Sequence, residues 1–271
     1  MLRRFAGAAA LAVIMTAAPA MSQEPVRLYA AGSLRAVMED IAQAFRQDSG
    51  LAVAGTFGPS GLLRDRIAKG ENAEVFASAN MAHPRSLAAA GRAGEVRAFA
   101  RNRLCALTAP TVDVTPETLL DRMLDARFKL GTSTPGTDPS GDYAWELFRK
   151  ADRLRPDAFE ALDRKALKLT GGPAAPPPPK DRSVYGALVE KGEADIFLTY
   201  CTNAVQARKE VPALKIVTVP KALAVGAEYG LTVVKGARPE SERFADFVRS
   251  PMGRTILVRH GFGLPSRPPR K

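Results

Sequence analysis

Histidine, cysteine and tryptophan are scarce in this chain of 271 residues, which holds two, two and one of them. A serine nucleophile needs a base beside it, and His83 and His260 are the only imidazoles available. No G-x-S-x-G elbow, phosphate loop or dinucleotide fingerprint occurs, and no His, Cys, Asp and Glu spacing suits a metal ion. The expectation is therefore a protein that is not an enzyme and carries no cofactor. The rival from that class is a secreted hydrolase using Ser33 or Ser60. Long apolar runs are missing too: past the first twenty or so residues nothing approaches the roughly 20 apolar residues that span a bilayer, so the chain is not expected to be membrane-embedded. Acidic residues are outnumbered, giving a formal charge of +11 that favours anions. The basic groups are scattered. Their clusters, Arg64/Arg66/Lys69 and the tail Arg267, Arg270 and Lys271, lack the interleaved aromatics of a single-strand nucleic-acid groove.

The first residues, MLRRFAGAAALAVIMTAAPAMSQ, combine a basic start at Arg3 and Arg4, an apolar stretch from Phe5 to Ala17 and a small-x-small site at Ala18-Pro19-Ala20. This is the pattern of a secretory signal peptide over residues 1–22, so a periplasmic location is expected. In such a compartment disulfides persist, and two cysteines allow one pairing, Cys105 with Cys201. The competing state is two buried thiols that only pack.

From Val26 onward short apolar runs alternate with amphipathic stretches: VRLYAA, LRAVMEDIAQAFRQDSG, LAVAGTFG, GLLRDRIAKG and AEVFASAN. This β-α-β-α-β rhythm implies a parallel sheet covered by helices. Leu34, Val37, Met38, Ile41, Ala42 and Phe45 recur at helical spacing, with Gly50 closing the helix. RLCALTAP reads as a strand, TPETLLDRML as a helix capped near Thr115-Pro116, and FKLGTST as a strand entering a Gly/Pro-rich loop. LTGGPAAPPPPKDRS reads as an irregular surface excursion. SVYGALVEKGEADIFLTY gives a helix and a strand, AEYGLTVVKG another strand, and ERFADFVRSPMGRTILVRHGF a final helical pair. The expected organisation is α/β with two lobes: lobe I from residues 23–100 and 235–271, lobe II from 101–234 including two crossover strands. A cleft between lobes is the natural ligand site.

Four serines stand just after a strand or turn where a helix begins: Ser33 in AAGSL, Ser60 in GPSGLL, Ser140 in DPSGDYAW and Ser183 in KDRSVYG. Helix starts carry partial positive charge and free N–H groups, and so bind anions. Serine is also a common N-cap that stabilises a helix by ~1 kcal/mol with no ligand. Gly32, Gly58, Gly61 and Gly141 flank three of the four and permit close backbone approach.

VRLYAAGSLRAVMEDIAQAF, GPSGLLRDRIAKGENAEVFASAN and GALVEKGEADIFLTYCTNA together resemble the periplasmic molybdate-binding proteins of ABC importers, in the family's order and spacing. The similarity covers nearly the whole mature chain. It implies a type II periplasmic binding protein fold, two α/β lobes joined by two crossover strands. It also implies a monomer that hands molybdate or tungstate to the importer's membrane subunits. In the family neutral donors hold the oxyanion, with no metal-cation ligands. By that resemblance Ser33 and Ser60 supply hydroxyls, Ser140 matches a backbone donor, Arg182 falls near another backbone donor, and Tyr200 supplies a phenol. A guanidinium from Arg182 would add charge-assisted hydrogen bonds to a dianion. The chain departs from the family at Pro59, in the loop GTSTPGTDPSG and in the Pro-rich insertion leading to Lys180 and Arg182. These departures keep sulfate, thiosulfate, phosphate or a small organic acid open as the ligand.

Overall fold

The computed structural model describes residues 24–265 except 178, 180 and 181, so residues 1–22, expected as a signal peptide, together with Lys180, Arg267, Arg270 and Lys271, lie outside the described residues. The chain opens with β1 (Val26–Ala31), α1 (Arg35–Ser49), β2 (Val53–Gly58), α2 (Ser60–Ala68), β3 (Val75–Ser78) and α3 (Ala82–Ala89). β1 pairs in parallel with both β2 and β3. The apolar stripe of α1 buries Val37, Met38, Ile41 and Phe45. The helix stops at Gly50, whose φ of +76° is a conformation other residues adopt only at a cost.

β4 (Arg97–Thr108) then leaves the first lobe, and the second follows. It comprises α4 (Leu119–Leu124), β5 (Leu130–Ser133), α5 (Pro139–Leu154), α6 (Ala158–Lys165), β6 (Leu167–Thr170), α7 (Val184–Glu190), β7 (Ile196–Tyr200), α8 (Cys201–Glu210) and β8 (Lys215–Thr218). β9 (Gly226–Val233) returns, and α9 (Pro239–Arg249) and α10 (Pro251–Arg259) close the chain. The nine described strands run β2-β1-β3-β9-β4-β7-β5-β6, with β8 also on β4. β4 and β9 join the lobes: Arg97–Arg103 pair antiparallel with β9, whereas Leu104–Thr108 pair with β7 and β8.

Several elements escaped the sequence pattern or begin elsewhere, α3, α6 and α8 among those not read at all. α4 starts at Leu119, because Thr115 and Thr118 satisfy each other's backbone N–H groups with their hydroxyls at 2.9 and 3.4 Å and hold a turn ahead of it. β6 and β8 are four-residue strands, too short to show a period.

The C-terminal helices return to the first lobe through aromatic packing, with Phe45 of α1 5.3 Å from Phe244 and 5.4 Å from Phe247. A buried ion pair fixes the entry to α9. Glu74, 1% exposed, accepts from Arg238 Nε at 2.6 Å, Arg238 Nη2 at 2.8 Å and the Arg27 N–H at 2.9 Å. The Arg238 hydrogen bonds, foremost, hold its carboxyl down at about 2. In the second lobe Cys105 of β4 and Cys201 of α8 are disulfide-bonded, with Cα atoms 4.9 Å apart.

Candidate functional site

Of the four serines at helix starts, only Ser183 caps its helix, accepting the Gly186 N–H at 3.3 Å. Ser33 lies in a single 3-10 turn, Gly32–Leu34, with no side-chain cap bond. Ser60 is the first residue of α2 and likewise caps nothing, since Pro59 holds the N-cap position. Ser140 follows Asp138, whose carboxylate is the cap of α5. Three hydroxyls thus stand at helix starts without serving those helices.

Hydrogen bonds bring most of these groups together where the lobes meet. Ser60 Oγ accepts the Ala79 N–H at 3.1 Å, and the Tyr200 phenol donates to the Ala79 carbonyl at 3.5 Å. Ala79 follows β3 in the first lobe, whereas Tyr200 ends β7 in the second, so this strand-end residue bridges a serine and a tyrosine from opposite lobes. One residue after Ser60, the Gly61 N–H donates to the Thr137 carbonyl at 2.8 Å, joining the start of α2 to the loop that enters α5. Ser60, Ser140 and Tyr200 are all buried. Tyr200 packs on Tyr229 and Tyr143 with ring centroids 5.6 and 6.3 Å away. Burial above all raises its pKa well beyond the ordinary phenol value, so it remains a donor.

Ser140 differs from the expectation in the atom it offers. Its N–H donates to Asp138 Oδ1 at 3.0 Å, and the next N–H, of Gly141, goes to the Asp138 carbonyl at 2.8 Å. What remains is the hydroxyl, buried and with no protein partner among the described residues. A buried hydroxyl with no partner costs roughly 1–3 kcal/mol. Thr108 and Ser241 carry such hydroxyls too, and Ser140 differs from them in standing at the start of α5 beside the loop that meets α2. Ser33 is half-buried, its Oγ 3.0 Å from the Tyr229 phenol.

Arg182 does not join this set. Its guanidinium donates to Glu190 Oε2 at 2.6 Å on an exposed face of α7, because the helix brings that carboxylate within reach. Three groups went unnoticed in the sequence. Tyr229 read only as a strand residue. Asn102 and Asp138 are polar residues in a strand and a loop, with nothing local to mark them. Asp138 is enclosed, and burial foremost pushes its carboxyl up to about 6.

The two histidines serve elsewhere. His83 Nδ1 lies 3.3 Å from Arg64 Nη1, which can only donate, so Nδ1 accepts and Nε2 carries the proton. His260 Nε2 lies 2.8 Å from Asp40 Oδ2. Neither bonds Ser33 or Ser60, so neither hydroxyl has the adjacent imidazole of a nucleophile. Among the described residues no three His, Cys, Asp or Glu side chains are grouped to hold a metal ion, and no helix is long and apolar enough to cross a membrane.

A family model described as bacterial extracellular solute-binding protein matches residues 26–263. The chain belongs to this family. A Pasteurella multocida protein is 37% identical over 207 residues, 76% of this chain and 86% of its own length. The molybdate-binding protein ModA of Escherichia coli is 28% identical over 274 residues, covering 96% of this chain and 97% of that protein. The sulfate-binding protein SubI of Mycobacterium tuberculosis superposes with a TM-score of 0.74 at 17% identity, over 89% of this chain and 86% of that one. The fold is thus the α/β fold of type II binding proteins. For a solute-binding protein of this kind, hydroxyls gathered between two hinged lobes are what contact with a solute requires.

Proposed function

We propose that this solute-binding protein captures a small tetrahedral oxyanion, molybdate or tungstate, between its lobes and delivers it from the periplasm to the membrane subunits of an ABC importer. The observation that carries this reading is the set of helix-start serines that cap nothing, with the Ser140 hydroxyl buried and unpartnered. Ser33, Ser60 and Ser140 would surround the ligand with neutral donors, and Tyr200 would join them by turning its phenol hydrogen from the Ala79 carbonyl, 3.5 Å away, to the anion. A dianion is held well by several such hydrogen bonds, because charge assistance makes each about twice as strong as a neutral one. The 28% identity to a molybdate-binding protein over nearly the full length of both chains supports the ligand class. Transport then follows from a population shift: only the closed form touches the anion from both lobes, so the anion stabilises that form for recognition by the importer. No bond is broken.

A second reading rests on Asp138. A carboxylate two residues from Ser140 is a hydrogen-bond acceptor, which suits an oxyanion that carries a proton, such as hydrogen phosphate. Calorimetric titration of the anion-free protein with molybdate, tungstate, sulfate and phosphate tests both. Tight binding of the first two supports the molybdate reading. Preference for phosphate would replace it, and no heat with any of the four would remove the oxyanion site.

A further inference from the structure

We propose that Asn102 and Tyr229 form a hydrogen-bond relay that fixes Ser33 as a donor toward the bound oxyanion; this rests on Ser33 being a ligand contact. A hydroxyl has one hydrogen and can either donate or accept toward a given neighbour, so its usefulness to an anion depends on what holds its other side. The Arg103 N–H donates to Asn102 Oδ1 at 2.9 Å, which settles the orientation of the amide. Asn102 Nδ2 therefore faces the other way and donates to Thr202 Oγ1 at 2.8 Å and to the Tyr229 phenol oxygen at 3.3 Å. The Tyr200 phenol also faces Tyr229 as a donor. With its oxygen accepting from Asn102 and Tyr200, the phenol hydrogen of Tyr229 goes to Ser33 Oγ at 3.0 Å. Burial keeps Tyr229 protonated. Ser33 accepts from behind, and its own hydrogen is left for the ligand.

The relay crosses the molecule where it bends. Asn102 lies on β4 and Tyr229 on β9, the two strands that join the lobes, and Thr202 is the second residue of α8 in the second lobe. Ser60 is set up the same way by a different donor, since its oxygen accepts the Ala79 N–H. In both serines a protein donor occupies the acceptor side and pushes the hydroxyl hydrogen outward. Tyr229 and Asn102 are thus positioning residues and touch no ligand themselves.

The test is a double-mutant cycle read by calorimetric titration with molybdate, with thermal unfolding as the folding control. Tyr229→Phe keeps the ring that packs against Phe99, Tyr200 and Phe262 and deletes only the relay hydroxyl. It is expected to weaken molybdate about three- to tenfold, the worth of one biased hydrogen bond. In a Ser33→Ala background the same change is expected to have no further effect. Asn102→Ala, at a half-buried position, should show a smaller loss with the same dependence on Ser33. Loss of affinity in Ser33→Ala with equal losses from Tyr229→Phe in both backgrounds would overturn the relay while leaving the site intact. Unchanged binding in Ser33→Ala would remove Ser33 from the ligand contacts and overturn the relay, whereas no heat from molybdate in the wild type would overturn the site reading itself.

Discussion

Gly61 is the residue whose replacement tests lobe closure most directly. A Cβ added there would lie 2.7 Å from the carbonyl oxygens of Gly136 and Thr137 and 2.9 Å from Thr137 Cα. Comfortable heavy-atom contacts begin near about 3.5 Å, so the loop entering α5 would have to retreat by roughly 0.8 Å. Backbone yields poorly, and overpacking of this kind costs ~1–3 kcal/mol. The Gly61–Thr137 hydrogen bond would stretch as well. Under the closure proposed above, this penalty falls only on the form in which α2 meets that loop. At ~1.4 kcal/mol per tenfold, Gly61→Ala should weaken oxyanion binding about 5- to 150-fold. Helix propensity argues the opposite way, since alanine favours α2 by up to ~1 kcal/mol over glycine. The anion-free variant should consequently unfold at nearly the wild-type temperature, while the stabilisation given by added molybdate shrinks. Titration calorimetry and thermal unfolding with and without molybdate make the check. Wild-type affinity in Gly61→Ala would refute the idea that this contact belongs to the binding-competent state.

Tyr200→Phe removes one donor to a charged ligand and keeps the ring, so titration should show affinity lower by about tenfold or more. Asp138→Asn preserves an acceptor for the Ser140 N–H but removes a carboxyl held up at about 6 mainly by burial. In the wild type, anion affinity should therefore rise as pH falls through that value, and the variant should bind with a flatter pH profile; equal profiles would separate Asp138 from the site. Glu74 is depressed to about 2 from an ordinary value of 4.5, so its stabilisation is complete above the ordinary value and is lost as pH falls toward 2. Arg238→Ala removes two hydrogen bonds from that carboxylate and leaves it to Arg27, whose Nη2 lies 3.5 Å away, so it should lower the midpoint of denaturant unfolding near neutral pH. The disulfide closes a loop with a sequence separation of 96, worth up to about 4–5 kcal/mol in the chain-entropy model. Alkylation under denaturing conditions should modify no cysteine before reduction and two after it.

The order of strands and helices from β1 to β3 could be read from the sequence because the strands are short apolar runs and α1 has a strong apolar period with a clear stop at Gly50, whereas α3 has only a weak period and was not read. The serines were visible as residues at helix starts, but whether a serine caps its helix or faces a ligand is a matter of rotamer and neighbours. Ser183 and Ser60 look alike in the chain, and only the fold shows one bonded to Gly186 and the other to Ala79. The partner of Arg182 was equally hidden: a guanidinium takes the nearest carboxylate, and α7 supplies Glu190 eight residues on. Asn102 and Tyr229, 127 positions apart, meet only because β4 and β9 are antiparallel neighbours. Asp138 sits in a loop without periodicity, where burial and its effect on a carboxyl leave no local mark.

The pairing of β4 with β9 also limits how the molecule can move. Two antiparallel strands bonded along Arg97–Arg103 and Gly226–Leu231 form a ribbon, which bends easily out of its own plane but resists sliding because sliding breaks the ladder. The register shift between Ala98 and Ala100 is a bulge at the first-lobe end of that ribbon, a local softening of the kind that lets a strand curve. Opening should then resemble the swing of a door on a leaf hinge, with one dominant angle and little twist. A carrier with a single angular coordinate presents its membrane partner with two attitudes, empty and loaded, and few states between them to be misread.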